Sequence, residues 1–305
     1  MAIPTVNELW RKVLYTYEEA QNRGAAYQTD TNTELLNDEN LGVEFVLRAA
    51  KALRDKPKPP KDRDDQAEVK NPFLPYEEDL FVAHLSNTHL LLLNKFNVVA
   101  HHLLVVTRQY ESQSDLLSAA DLDAAWTVLQ AMPEGGVAFY NAGEVAGASQ
   151  PHKHLQVVPL PLAEGLGSDP PFTHRVRQAT SRARAPPLIM VELRHLPWQT
   201  YACDLPQDAS QVDGDVLHAA YKRLLGACLV QNATCDAYNL VLVRSFMMLV
   251  PRSKAMCGPA SLNSLGYAGT ILVRSQEELE FVREHGPMRL LQYCGIPWKT
   301  IPGSV

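Results

Sequence analysis

Behind Thr5-x-x-Glu8, apolar residues recur at Val6, Leu9, Trp10, Val13, Leu14 and Tyr17. Intervals of three and four predict a single apolar stripe, and the Thr/Glu pair predicts a capping box, so a helix is expected to about Gln21. Val43 to Leu47 reads as a strand. Asp55 to Gln66 sets Pro57, Pro59 and Pro60 among charged residues without an apolar period, which predicts a solvated loop.

Apolar density then rises. Leu80 to Ala83, His89 to Leu93 and Val98 to Val106 read as strands, with turns at Ser86-Asn87 and Asn94 to Asn97, and together they predict an antiparallel meander. Ser118 to Met132 carries Leu122, Ala125, Trp126 and Leu129 at helical spacing before Gly135-Gly136, and Val137 to Tyr140 follows as a strand.

After Pro161 the chain reads as loop to about Phe172, is basic from Arg175 to Arg184, and breaks at Pro186-Pro187. Leu188 to Leu193 is strand-like, and a second helix is expected from Asp215 to about Val230. Tyr238 to Arg244 and Phe246 to Pro251 pair around Ser245, and Ala268 to Arg274 is a further strand. Ser275-x-x-Glu278 caps a helix ending near Gly286-Pro287. Strands joined by short turns, with helices inserted singly and no βαβ alternation or internal repeat, define an α+β chain built on antiparallel sheet.

Composition narrows the partners. Of 305 residues, 46% are hydrophobic and 20% charged, as in an ordinary globular protein. A formal net charge of −6 argues against a general affinity for nucleic acid or anionic membrane, so any polyanion site must be local. No run approaches the roughly 18 apolar residues of a membrane span, and Met1-Ala2-Ile3-Pro4 shows no export signal. Five scattered cysteines (203, 228, 235, 257 and 294) lack a C-x-x-C spacing, so neither a disulfide framework nor a cysteine zinc site is expected, and a reducing cytoplasm fits best.

The densest chemistry lies between Asn141 and Pro161, where a loop bearing Gly143 and Gly147 runs into His152-x-His154-x-Gln156. On a strand, the period of two would place His152, His154 and Gln156 on one face, with Lys153, Leu155 and Val157 on the other. An imidazole fixed through one nitrogen can attack phosphorus with the other, beside an amide that hydrogen-bonds a phosphoryl oxygen. The residues alone leave three options: polar strand residues, metal ligands, or a nucleophile with its helper. Asn141, Gly147, Ala148, Ser149 and Gln150 would offer close backbone approach and short donors to phosphate. Asn94-Lys95 puts an ammonium in a turn between apolar strands, and Lys56, Arg244, Arg252 and Lys254 are further candidate phosphate partners. His84, His89, His101 and His102 fall within or beside apolar strands and read as core or edge histidines.

Gly147-Ala-Ser-Gln-Pro-His-Lys-His-Leu-Gln156, with Asn141 upstream, resembles the active-site motif of the ATP adenylyltransferases (diadenosine tetraphosphate phosphorylases). These form a branch of the histidine-triad superfamily related to galactose-1-phosphate uridylyltransferases. Four further stretches resemble the family in order: Asn71 to Glu77, Leu93 to Val99, Tyr238 to Arg244 with Leu249 to Ser253, and Ser261 to Gly269.

The resemblance implies a histidine-triad-like antiparallel core with flanking helices. Residues 1–215 would form the catalytic part and residues 216–305 a C-terminal part packed with it as one globule. It implies reversible phosphorolysis of diadenosine tetraphosphate to ATP and ADP, with His154 as the nucleophile that forms an adenylyl intermediate. Gln156 would contact the transferred group, and His152 would orient the site. Lys56, Asn94, Lys95, Asn141, Gly147 to Gln150, Ser261, Leu262, Asn263, Thr270 and Arg274 would bind substrate. At Thr270 and Arg274 the chain departs from the Met and Lys of fungal members.

Mg²⁺ is expected to arrive with the polyphosphate, because no protein cage for it is apparent. Substrates and products would be the partners, with no nucleic acid or membrane. The oligomeric state is not set by the sequence, and a monomer is compatible with it. The alternatives are a nucleotidyltransferase acting on adenylyl sulfate or a nucleotide sugar, and a non-catalytic dinucleotide sensor.

Overall fold

The computed structural model describes residues 4–39, 42–50, 71–167, 169–182, 188 and 190–299. The loop expected from Asp55 to Gln66, and Lys56 with it, lies outside the described residues.

Helix α1 (Val6–Asn22) opens as its capping box predicts: the Glu8 carboxylate accepts the Thr5 N–H at 2.9 Å and the Thr5 hydroxyl at 2.8 Å. Its apolar stripe buries Leu9, Val13, Tyr17 and Ala20. Next come β1 (Tyr27–Gln28), β2 (Thr31–Asp38) and β3 (Val43–Ala50). Strand β2 was not expected, because Thr-Asn-Thr-Glu-Leu-Leu-Asn-Asp is too polar to show alternation; it is held by pairing with β3.

The meander follows as β4 (Phe81–His84), β5 (His89–Leu93) and β7 (Leu103–Thr107), and the turn between the last two carries the short β6 (Phe96–Asn97), which pairs in parallel with β1. Helix α2 (Ala119–Ala131) is capped by Ser118, whose hydroxyl accepts the Asp121 N–H, and β8 (Gly136–Asn141) and β9 (His154–Pro159) come next. The basic stretch, to which the sequence assigned no element, then forms a helix, α3 (Thr173–Arg182). Only Val176 and Ala179 of its residues are apolar, so its buried side is inconspicuous in the sequence.

Beyond it lie β10 (Met190–Glu192), β11 (Tyr201–Asp204), α4 (Gly214–Gln231), β12 (Tyr238–Leu242) and β13 (Phe246–Pro251). The chain closes with β14 (Met256–Cys257), β15 (Ala260–Ser261), α5 (Ser264–Tyr267), β16 (Thr270–Val273), α6 (Gln276–His285) and α7 (Pro287–Cys294). Helix α6 stops at Gly286, as its sequence predicts. The helix beyond it was not foreseen: Pro287 occupies its first turn, where the missing N–H costs nothing.

Nine strands form one antiparallel sheet in the order β10-β11-β13-β12-β8-β9-β7-β5-β4. It crosses from the first half of the chain to the second where β8 pairs with β12, Asn141 opposite Asn239. One face, with Tyr140, Leu155, Val157 and Leu240, packs with α1, α2 and α4. The opposite face, with Phe139, Val158 and Val241, meets a small sheet in which β3 lies between β2 and β16. The candidate site lies on this second side.

One cysteine expectation is corrected. Cys228, in the last turns of α4, is joined to Cys235 in the turn beyond it, with Cα atoms 6.4 Å apart. The two are seven positions apart, a spacing that carries no recognised signal; the local turn back from the helix brings them together. Cys203, Cys257 and Cys294 are buried and unpaired.

Candidate active site

Strand β9 begins at His154, with Val106 of β7 opposite it, and Gln156 lies between Leu104 of β7 and Phe139 of β8. Gln113 clamps this start: its Oε1 accepts the His154 N–H at 2.8 Å, and its Nε2 donates to the carbonyls of His154 (3.2 Å) and Asn141 (3.0 Å). The His154 Nδ1 lies 2.8 Å from the His152 carbonyl oxygen. A carbonyl only accepts, so Nδ1 carries the proton and Nε2 keeps its lone pair. Burial pushes the His154 pKa down to about 4, opposed by that carbonyl and reinforced by His152 nearby, so the ring is neutral at pH 7.

His152 precedes the strand and does not share the outlook of His154 and Gln156. Its ring is fully buried, with Nδ1 3.0 Å from Asn71 Nδ2 and Nε2 donating to the Thr107 carbonyl at 2.9 Å. Phe73 packs against the rings of both histidines, 5.7 and 5.3 Å between centroids. His152 thus holds the His154 support in place through its own carbonyl.

His154 and Gln156 line a cavity of about 390 Å³ that also receives Asn94, Lys95, Gly147, Ser149, Gln150, Asn263, Thr270 and Arg274. An adjoining cavity of about 260 Å³ shares Gly147, Ser149, Asn263, Thr270 and Arg274 and adds Ala148, Ser261 and Leu262. Gly147 has φ +90°, and a Cβ there would stand 2.5 Å from the Leu262 carbonyl oxygen, so only glycine lets the loop lie against the 261–263 segment. The Thr270 hydroxyl, on the wall of both cavities, is buried without a hydrogen-bond partner among the described residues. Arg274 donates to Ser261 Oγ at 3.2 Å, and Lys95 pairs with Glu77 at 2.8 Å, which raises its pKa.

Asn141 lines neither cavity. Its Oδ1 accepts from Asn239 Nδ2 (2.9 Å) and from the N–H (3.0 Å) and hydroxyl (2.7 Å) of Ser264, tying β8, β12 and α5 together. Arg252 is likewise a strut. Only 3% exposed, it donates to Asn239 Oδ1 and to the carbonyls of Ala146, Lys254, Leu262 and Cys294. Arg244 closes the end of α2 through the Leu129 and Met132 carbonyls, and Lys254 sits over the Tyr293 ring.

Phe73, Glu77, Arg48 and His102 also line the larger cavity. Arg48 falls one residue past the strand end expected from the sequence, and His102 reads there as an edge residue. Gln113 carries no local signal at all; only the fold brings it to His154. Among the described residues, no group of three or more His, Cys, Asp or Glu side chains stands where it could hold a metal, and no helix is long and apolar enough to cross a membrane.

A neutral imidazole with a fixed proton, at the wall of a cavity lined by amides, hydroxyls and cations, equips a histidine-based nucleotidyltransferase. Comparison with known proteins agrees. Residues 2–176 match the Ap4A phosphorylase N-terminal domain, and residues 194–297 match the ATP adenylyltransferase C-terminal domain. The chain belongs to the Ap4A phosphorylase family. It is 31% identical over 314 aligned positions, 95% of each chain, to diadenosine 5′,5‴-P1,P4-tetraphosphate phosphorylase 2 of Saccharomyces cerevisiae. The crystal structure of yeast Ap4A phosphorylase Apa2 in complex with Ap4A superposes with a TM-score of 0.82 at 28% identity, covering 98% of this chain and 100% of that one. The AMP complex of the same enzyme gives 0.80 at 28% identity, covering 99% and 100%.

Proposed function

We infer that this protein catalyses the phosphorolysis of diadenosine tetraphosphate to ATP and ADP by nucleotidyl transfer through His154. The observation that carries the reading is the 2.8 Å contact of His154 Nδ1 with the His152 carbonyl, which presents Nε2 as a nucleophile without a general base. In the first transfer Nε2 attacks the α-phosphorus, the N–P bond forms, the bond to the bridging oxygen breaks, and ATP leaves. In the second, a phosphate oxygen attacks the same phosphorus, the N–P bond breaks, and ADP leaves with His154 neutral again.

While the adenylyl group is attached the imidazole is cationic, and the His152 carbonyl stabilises its remaining N–H. Charge growing on the equatorial phosphoryl oxygens is met by the Gln156 amide and the amides of the 147–150 loop. Lys95, Arg274 and the Thr270 hydroxyl bind the remaining phosphates, and Ser261 to Asn263 approach the substrate from the second cavity. Lys56 is assigned the same task on family resemblance. Mg²⁺ would accompany the polyphosphate as part of the substrate.

In the test, purified enzyme is given diadenosine tetraphosphate with and without phosphate while ATP and ADP are measured. Phosphate-dependent formation of both, reduced by about 10³-fold or more in His154→Ala, is expected. Normal turnover by that variant would refute the reading. A nucleotide panel including adenylyl sulfate and a nucleotide sugar would expose a different substrate.

A further inference from the structure

His102 bears an unused hydrogen-bond donor beside the reacting group. It immediately precedes β7, and the β7–β9 register places it diagonally across from Gln156: Leu104 opposes Gln156, so His102 extends the same face by two residues. Both line the cavity that holds His154.

The tautomer of His102 follows from its neighbours. Asn94 Nδ2 lies 3.0 Å from the Phe96 carbonyl oxygen, which only accepts, so this atom is the amide NH₂. The same NH₂ lies 3.1 Å from His102 Nδ1 and must donate there, leaving the ring proton on Nε2. Asn97 fixes the arrangement, since its Nδ2 donates to the Asn94 carbonyl at 2.7 Å and its Oδ1 accepts the His102 N–H at 3.2 Å. The His102 Nε2–H is buried with no hydrogen-bond partner among the described residues. Burial also pulls the ring to a pKa of about 4, with the neighbouring Gln156 side chain opposing the shift, so this donor is neutral at pH 7.

Gln156 has the complementary ambiguity. Its carbonyl and NH₂ have nearly the same shape, yet only the NH₂ stabilises a phosphoryl oxygen, while the carbonyl repels it. We propose that His102 is a positioning residue: its Nε2–H, selected by Asn94, holds the Gln156 side-chain carbonyl and turns the Gln156 NH₂ toward the transferred phosphoryl group. Both hydrogens of the Asn94 amide are then spent inside the protein, on Phe96 and His102. Asn94 serves the substrate through this relay, with only its Oδ1 left for direct contact. The proposal rests on the phosphorolysis reading of the site.

The tests are a double-mutant cycle and a direct look at the ring. His102→Phe should lower kcat for phosphorolysis by roughly tenfold with KM changed less than about threefold, and on a Gln156→Ala background it should cause no further loss. Multiplying losses, or a His102→Phe enzyme with unchanged kcat, would overturn the relay. Unmodified protein, with ¹⁵N-labelled histidine, should show His102 protonated at Nε2 by NMR at pH 7. Protonation at Nδ1 would overturn the relay even if the variants failed to fold. If wild-type enzyme turns over no diadenosine tetraphosphate, the substrate assignment fails, whereas turnover with the wrong tautomer or multiplying losses indicts the relay alone.

Discussion

A histidine only 4% exposed has lost most of its contact with water, and water is what normally keeps imidazole half-protonated near neutrality. With its pKa near 4, His154 should keep its nucleophilic lone pair well below neutral pH. The first-turnover burst of ATP should therefore hold from pH 7 to about 5 and decline only towards about 4. A burst that halves near pH 6.5, the ordinary histidine value, would contradict this account. The same burial has a stability consequence. An unfolded chain binds protons on His102 and His154 below about 6.5, whereas the folded chain does not until about 4, so stability present above 6.5 is lost as pH falls through that window. Urea unfolding should show a loss of about 1 kcal/mol per pH unit for each histidine. At Gly147, substitution by Ala meets both positive φ and the Leu262 carbonyl. It should destabilise the fold by about 1–3 kcal/mol and raise KM, as read from thermal unfolding and kinetics.

Between elements, the decisive joint is Asn141, which links β8, β12 and α5 through three accepted hydrogen bonds. Asn141→Leu leaves the Asn239 and Ser264 donors buried without their acceptor. It should cost about 2–4 kcal/mol in denaturant unfolding, with activity falling through misplacement of the 261–263 segment. The sequence places Asn141 in the site by resemblance, but its burial and partners appear only once β12 and α5 are in position. Helices α1, α2, α4 and α6 could be read from caps and apolar period, and so could the central strands. Strand β2 and helices α3 and α7 could not: β2 is held by pairing with β3, α3 has only Val176 and Ala179 as apolar residues, and α7 is an eight-residue helix behind Gly286-Pro287, which reads as a stop. The period of two holds for His154 and Gln156, whereas His152 lies before the strand and turns into its own pocket of Asn71 and Thr107.

For the whole molecule, the β8–β12 pairing makes one sheet of two sequence halves, and the site needs both. His154 and Gln156 come from the region matched by the N-terminal family domain, Asn263, Thr270 and Arg274 from the region matched by the C-terminal one. Neither half alone contains the walls of the cavity, which is why local motifs single out His154 as the candidate nucleophile but not the surface around it.

The most direct measurement is to incubate the enzyme with α-phosphate-labelled diadenosine tetraphosphate without phosphate, quench it in alkali, and map the label by mass spectrometry. The account predicts one acid-labile adenylyl group on His154, discharged as ADP when phosphate is added and missing in His154→Ala. Label on another residue, or turnover with no protein-bound adenylyl group at any time, would contradict it.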